Sequence, residues 1–211
     1  MSPDLGFDHR YLAGDESGPT LLLLHGTGGN EEDLIPLGQE LLPGAAILSP
    51  RGKVSEYGAP RFFRRLAEGV FDHEDLIFRT HELAGFVEAA AEEYGFDPSK
   101  MIAVGYSNGA NVAASTILLH PDLLRAAVLF RAMVPFEPEV IPDLSGMPVF
   151  MAAGRMDRMI PQDNTQRLAD ILTGAGAKVD LRWRNVGHPL TYEEVGEAKA
   201  WLSDVLPKLE K

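Results

Sequence analysis

The chain has 211 residues, and its hydrophobic (45%) and charged (24%) fractions are those of an ordinary globular protein, so we expect one domain over residues 1–211. Lysine and arginine total 19 against 31 aspartates and glutamates, and the resulting net charge of -12 disfavours nucleic acid or an anionic membrane as partner. The absence of cysteine excludes disulfides, thiolate zinc sites and a cysteine nucleophile. With no secretory-type start and no apolar run of about 18 residues, the sequence predicts a cytoplasmic protein.

Short apolar runs alternate with helical patterns along the chain, which predicts an α/β fold with a mostly parallel central sheet and helices on both faces. The predicted strands are residues 7–12, 20–24, 45–49, 101–106, 126–130, 148–153 and 179–186. The predicted helices are residues 30–42, 72–94, 107–120 and 163–173 and a C-terminal helix that follows a capping-box pattern at Thr191 and Glu194. Residues 50–69, rich in glycine, proline and arginine, are predicted to form a long surface loop.

The segment GYSNG at residues 105–109 matches the pattern G-x-S-x-G, with an apolar strand before it and a helix of small residues after it. A sharp strand-to-helix turn of this kind exposes the serine hydroxyl at the carboxyl end of a sheet. The helix also directs the positive end of its dipole at the place where an oxyanion could form. Ser107 is therefore a candidate nucleophile, and the alternative is a tight turn with a solvent-exposed serine.

A serine nucleophile needs a base and an acid, which should follow it in the order acid, then histidine, on loops after later strands. Asp157 follows the predicted strand 148–153, and His188 follows the strand 179–186. His188 would take the proton from Ser107, and Asp157 would orient the imidazole. A second acid on the same loop, Asp163, is interpreted as a helix N-cap.

The glycine-rich segment HGTGG at residues 25–29 follows the strand 20–24, where a second oxyanion-hole loop would lie. The backbone amide of Thr27 is the candidate donor, together with the amide of Asn108. The alternatives are a phosphate-binding loop or a plain turn, although neither G-x-G-x-x-G nor a P-loop lysine is present. The histidine spacings do not match a metal motif, so no metal site is predicted.

With those residues located, the chain resembles the carboxylesterase and phospholipase branch of the α/β-hydrolases, which includes acyl-protein thioesterases. The segments HGTGGNEEDL, SPRGK, RFFRRL and GHPLT, which start at residues 25, 49, 61 and 187, look like those of bacterial hydrolases associated with methylhydroquinone and quinone stress. The resemblance implies an α/β-hydrolase fold and a Ser-His-Asp esterase without a cofactor. Pro189 departs from the pattern, because related sequences are expected to have an acidic residue there.

The expected substrates are small or medium acyl esters, or thioesters, because 211 residues leave no room for a large lid domain. Candidate substrate contacts are His25, Phe63, Arg64, Arg65, Met133, Phe136 and Met159. Alternatively, the apolar ones belong to the core and the arginines form a solvated turn. A catalytically silent small-molecule binding module, and a lyase or peroxidase with the same fold, stay open as other functions. A homodimer also stays open.

Overall fold

The computed structural model of the protein describes residues 5–16 and 18–209. Its strands are β1 (His9–Leu12), β2 (Thr20–Leu24), β3 (Ala46–Pro50), β4 (Val54–Glu56), β5 (Ala59–Arg61), β6 (Arg65–Ala67), β7 (Val70–Phe71), β8 (Met101–Tyr106), β9 (Ala126–Phe130), β10 (Pro148–Gly154) and β11 (Lys178–Arg184). Its α-helices are α1 (Ile35–Leu41), α2 (His73–Tyr94), α3 (Asn108–Leu119), α4 (Gln162–Gly174) and α5 (Tyr192–Leu209), with a short 3-10 turn at Pro98–Lys100. Each predicted strand and helix is present, most with ends shifted by one or two residues.

Seven strands form the central sheet in the order β1-β3-β2-β8-β9-β10-β11. Only β1 pairs antiparallel to its neighbour, and every other pairing in this sheet is parallel. The carboxyl ends of the parallel strands therefore meet at one edge of the sheet. The predicted α/β fold with a mostly parallel sheet is confirmed.

Both faces of the sheet are covered, as the continuously apolar strands predict. Leu22 and Leu24 belong to one buried cluster with residues of α2, α3 and α4. Leu21 and Leu23 belong to the other cluster, with residues of α1 and α5. Because successive side chains of a strand point to opposite faces, an interior strand between two helical layers must be apolar at every position.

The predicted long surface loop at residues 50–69 was wrong, because this segment folds into two short hairpins, β4 with β5 and β6 with β7. Phe62 and Phe63 between the hairpins are 3% and 0% exposed, and Phe63 packs edge-on against Phe71 with ring centroids 5.0 Å apart. The segment is anchored to the core by buried rings at its centre. Strands of two or three residues are too short to produce a periodic pattern, so a sequence pattern could not predict them.

Two helix starts differ from their predictions. Helix α1 begins at Ile35 and not at residue 30, because the Asn30 side chain accepts a hydrogen bond from the Glu32 amide at 2.8 Å and forms a turn first. Helix α4 begins after Pro161, so Asp163 lies inside the first turn and accepts from the Asn164 amide at 2.9 Å. The interpretation of Asp163 as an N-cap was therefore wrong.

No helix within residues 5–16 and 18–209 is both long enough and apolar enough to cross a lipid bilayer.

Candidate active site

Ser107 lies at the turn between β8 and α3, at the carboxyl edge of the sheet. Its backbone has φ 53° and ψ -113°, a conformation that costs a non-glycine residue on the order of 1–3 kcal/mol. The turn is tight enough that a Cβ on Gly109 would lie 1.9 Å from the Leu24 carbonyl oxygen, and one on Gly105 would lie 2.6 Å from the Gly109 oxygen. The two glycines of the motif are thus required by close backbone approach.

The structure brings Ser107, His188 and Asp157 together from three loops at this edge. The Oγ of Ser107 lies 3.0 Å from Nε2 of His188, and Nδ1 of His188 lies 2.8 Å from Oδ2 of Asp157. Because the carboxylate can only accept, Nδ1 carries the proton and Nε2 is free to accept the serine proton. The Asp157 side chain is 1% exposed and that of His188 is 19% exposed, so the imidazole remains accessible from the cleft.

Tyr106, the residue before the nucleophile, also contacts His188. Its hydroxyl donates to the His188 carbonyl oxygen at 3.1 Å, and the two rings lie 5.5 Å apart at their centroids. Burial raises the pKa of Tyr106, so the phenol keeps its proton at neutral pH. The loop of His188 is therefore tied directly to the turn of Ser107.

The glycine-rich loop after β2 lies beside Ser107, and Thr27 lines the same cleft. The amide of Asn108 is at the first position of α3, where an α-helix offers its N–H groups no internal partner. The Thr27 hydroxyl accepts a hydrogen bond from Nη1 of Arg61 at 2.6 Å. Both candidate oxyanion donors, Thr27 on a loop and Asn108 at the start of α3, therefore lie in the same cleft as Ser107.

His25, a candidate substrate contact, does not line the cleft and is 1% exposed. Its Nδ1 donates to the Gly26 carbonyl oxygen at 2.7 Å, and its Nε2 accepts from the Gly52 amide at 3.0 Å. Burial lowers the pKa of His25, which fits a neutral ring that donates on one side and accepts on the other. His25 therefore connects the glycine-rich loop to the chain after β3 and lies outside the lining of the cleft.

The cleft at Ser107 is partly open to solvent and has a volume of about 40 Å³ for the centres of water-sized molecules. The residues that line it are Thr27, Arg61, Arg65, Glu68, Gly69, Phe71, Ser107, Asn108, Asn111, Met133, Met159, Ile160 and His188. Among the candidate substrate contacts, Arg65, Met133 and Met159 are in this set.

Phe63, Arg64 and Phe136 are not in it. Phe63 is buried in the core under the hairpins, Arg64 pairs with Asp72 at the start of α2, and Phe136 packs against the core cluster that contains α4. Of the two candidate arginines, Arg64 is exposed, as a solvated turn would have it, whereas Arg65 is half-buried and lines the cleft.

Arg61 is a cleft residue that the sequence analysis named only within a motif. It donates to the Thr27 hydroxyl and to the Phe63 carbonyl oxygen, and it lies 3.4 Å from a carboxylate oxygen of Glu56. The other oxygen of Glu56 accepts from Arg65 at 2.9 Å. Burial and the neighbouring Arg65 lower the pKa of Arg61. One carboxylate thus partly neutralises two guanidinium groups that line the cleft.

The sequence did not predict a role at the site for two further residues, Arg131 directly after β9 and Glu194 in α5. Both are buried, and they pair with each other behind His188. Glu194 was recognised only for its capping box, which is present: its carboxylate accepts from the Thr191 amide at 3.0 Å. A signal for Arg131 existed, since a single charge interrupts the apolar run AAVLFRAMV at residues 126–134, and a buried charge needs a partner.

The other histidines form no metal site. His81 and His120 contact each other at 2.9 Å on the outer layer formed by α2 and α3, and His73 begins α2. In the part of the chain that the structure describes, no three histidine, aspartate or glutamate residues are grouped so that they could hold a metal ion.

The fold and the sequence match known hydrolases. The model of the dienelactone hydrolase family matches residues 68–201. The putative hydrolase MhqD of Bacillus subtilis is 46% identical over 198 residues, which cover 94% of this chain and 98% of that protein.

Two crystal structures, both of carboxylesterases, match nearly the whole chain. The Bacillus cereus carboxylesterase has a TM-score of 0.93 and 48% identity, with 95% of each chain covered. The carboxylesterase of Mesorhizobium loti has a TM-score of 0.90 and 31% identity, with 96% of this chain and 97% of that one covered. The chain belongs to the dienelactone hydrolase family and is a carboxylesterase-type hydrolase with the α/β-hydrolase fold.

Proposed function

We propose that the protein is a serine carboxylesterase that hydrolyses small or medium acyl esters through an acyl-enzyme intermediate. The observation that carries the proposal is the hydrogen-bonded series from Ser107 Oγ to His188 Nε2 at 3.0 Å and from His188 Nδ1 to Asp157 Oδ2 at 2.8 Å. These distances are within the range at which a base can take the proton of a nucleophile.

In the first half-reaction, Ser107 Oγ bonds to the ester carbonyl carbon while its proton moves to Nε2 of His188. The carbonyl oxygen becomes an oxyanion, which the backbone amides of Thr27 and Asn108 bind. The bond from the carbonyl carbon to the alcohol oxygen then breaks, and His188 returns its proton to the departing alcohol. This step leaves the acyl group on Ser107.

In the second half-reaction, a water molecule replaces the alcohol. His188 takes one proton from the water as the water oxygen bonds to the acyl carbon, and it gives that proton to Ser107 Oγ when the acyl bond breaks. The products are a carboxylic acid and the free serine. Asp157 stays ionised throughout and stabilises the charged imidazole, so the reaction uses side chains and backbone amides alone.

The shape of the cleft supports small substrates. Thr27, Arg61, Asn108 and Asn111 give it polar walls, and Met133, Met159 and Ile160 give it an apolar wall. The Nδ2 of Asn108 is buried and has no hydrogen-bond partner among the described residues, so it is a donor that a polar substrate group could satisfy. The two hairpins between residues 50 and 72 border the cleft, and they are too small to act as a lid domain.

A fluorophosphonate probe tests the proposal, because it labels a serine only when a base activates it. We expect one label, on Ser107 by peptide mapping, and we expect Ser107→Ala to lose both the label and several powers of ten in kcat on p-nitrophenyl acetate. Ser203→Ala, an exposed position in α5, is the control and should keep both. An unlabelled wild-type protein that still binds esters would identify a silent binding module, and a parallel thioester, amide and lactone panel defines the substrate class.

A further inference from the structure

Arg131 is a buried cation at the carboxyl edge of the sheet, between the loops that carry Asp157 and His188. It follows β9, its side chain is 1% exposed, and its backbone has φ 61°, a left-handed conformation that is rare for a non-glycine residue. Its amide donates to the Ala152 carbonyl oxygen of β10 at 3.0 Å. A strained backbone that carries a buried charge persists only where surrounding contacts enforce it.

Glu194 of α5 is the counter-ion of Arg131. Nη1 and Nη2 of the guanidinium donate to its two carboxylate oxygens at 2.7 and 2.9 Å, and Glu194 is 0% exposed. Burial opposes ionisation of Glu194, but the hydrogen bonds and charge of Arg131 outweigh it and keep the pKa of Glu194 below its usual value. The forked geometry fixes the plane of the guanidinium as well as its position.

The other hydrogen bonds of the Arg131 side chain go to backbone carbonyl groups, one from Nη1 to Ala152 of β10 at 3.2 Å and the rest to the His188 loop. Nε lies 3.1 Å from the Gly187 carbonyl oxygen and 3.0 Å from that of His188, and Nη2 lies 3.0 Å from that of Pro189. Three successive carbonyl groups are thus bound by one rigid cation. The acidic residue expected at position 189 is replaced by a proline, whose carbonyl group serves as one of these acceptors.

Arg131 also lies close enough to Asp157 for a favourable interaction between their charges. Nε lies 4.0 Å from Oδ2 of Asp157, which is the oxygen that faces His188. The charged and titratable groups around the His188 ring and its loop are Asp157, Arg131, Glu194 and the neutral Tyr106. Their charges sum to about one negative unit when both carboxylates are ionised, and loss of Arg131 would leave two.

We propose that Arg131 is a positioning residue for ester hydrolysis, which holds His188 in line with Ser107 and Asp157 through the carbonyl groups of residues 187–189. Glu194 in turn orients the Arg131 guanidinium. This inference rests on the proposed function, in which His188 is the base. The proposal differs from a purely structural role for the ion pair, because it requires the orientation of the His188 imidazole, and not only the stability of the fold, to depend on Arg131.

Three variants separate geometry, charge and stability. Arg131→Lys keeps the charge but lacks the planar fork, so kcat should fall about a hundredfold with little change in KM, while the acidic limb of the pH–rate profile stays in place. Arg131→Met leaves Glu194 unpaired, so it should destabilise the fold and move the acidic limb to higher pH, because two carboxylates then favour the protonated imidazole.

The third variant, Arg131→Met with Glu194→Leu, removes both charges and keeps the proposal testable if Arg131→Met alone fails to fold. We expect its resistance to urea and its acidic limb to return toward those of the wild type, while kcat stays about a hundredfold low because the three carbonyl groups have lost their donor. Arg184→Met is the matched control, since Arg184 also joins β11 to a glutamate of α5, Glu197, through a side-chain ion pair.

Wild-type kcat in Arg131→Lys or in the double variant would overturn the positioning role, as would an equal loss in Arg184→Met. Wild-type protein that takes no fluorophosphonate label at Ser107 would overturn the proposed function itself. The two failures are therefore distinguishable in one set of measurements.

Discussion

The carboxylate of Asp157 binds the ring of His188 through one oxygen and its own loop through the other. Oδ2 accepts from His188 Nδ1 at 2.8 Å, while Oδ1 accepts from the amides of Met159 and Ile160 at 2.8 and 3.3 Å. The carboxylate therefore has a fixed rotation, and so does the imidazole that it orients. The orientations of the carboxylate and of the imidazole both depend on the loop that follows β10, because this loop sets the position of Asp157 relative to His188.

Asp157→Asn should lower kcat by about ten-thousandfold, because an amide that donates to His188 selects the wrong tautomer. Steady-state kinetics with p-nitrophenyl acetate measures this loss. Asp163→Asn, in the first turn of α4, is the control, and it should keep wild-type activity, since Asp163 is exposed and accepts a hydrogen bond from the Asn164 amide. A dead Asp163→Asn beside an active Asp157→Asn would contradict the assignment of the acid.

Thr27→Val should lower kcat less than tenfold, because the proposed contribution of Thr27 to catalysis is its backbone amide. Loss of a true oxyanion donor costs about a hundredfold or more. The same variant should lower the free energy of unfolding by about 1–3 kcal/mol, since the buried Arg61 loses the acceptor for Nη1.

Thr27→Ser keeps the hydroxyl and is the matched control for both measurements, which are steady-state kinetics and urea unfolding. If Thr27→Val lost a hundredfold in kcat while Thr27→Ser kept it, the hydroxyl itself would take part in catalysis.

The burial of His25 predicts a pH dependence of stability. Its pKa in the folded protein is lowered below the ordinary value of 6.5, so the unfolded chain binds the proton more readily than the folded one. This contribution is fully present above about pH 6.5 and is lost as the pH falls toward the folded pKa. Urea unfolding of the wild type should therefore show a free energy of unfolding that decreases as the pH is lowered from about 6.5 toward the folded pKa.

His25→Gln should have a shallower slope in the same window, because glutamine has no proton to take up there. The pKa of His120 is also lowered, by burial and then by His81, but that contribution is common to both proteins. Parallel slopes for wild type and His25→Gln would show that His25 does not titrate as its burial requires.

Met133 should limit the acyl chain length. It lines the cleft and is 8% exposed, so Met133→Ala enlarges the apolar wall and should raise the ratio of kcat/KM for hexanoate over acetate esters by about tenfold. Met156→Ala is the control, because Met156 comes after β10 at the same edge of the sheet but is 62% exposed and lies outside the cleft lining. An unchanged ratio in Met133→Ala would place the acyl group elsewhere in the cleft.

Local sequence was sufficient for the strands of the central sheet, the helices and the positions of the triad candidates. Ser107 and Asp157 follow strongly apolar strands, and His188 follows the edge strand β11, in which charged and apolar residues alternate. Parallel strands bring their carboxyl ends to one edge whatever the loops contain. The turn at Ser107 is also visible in the local sequence, since Gly105 and Gly109 are two residues away on either side. The sequence by itself thus determined which edge of the fold the chemistry would occupy.

Only the tertiary structure decided the roles of Arg131, Glu194, His25 and the hairpins after β3. Arg131 and Glu194 are 63 residues apart, and their pairing behind His188 depends on how α5 packs against the sheet. The sequence suggested that His25 contacts substrate, but in the structure its Nε2 accepts a hydrogen bond from the Gly52 amide, 27 positions later in the chain. Such long-range contacts determine which single polar groups are buried and which residues they pair with. A contact between two residues far apart in the chain leaves no periodic pattern around either of them, so the sequence does not predict it.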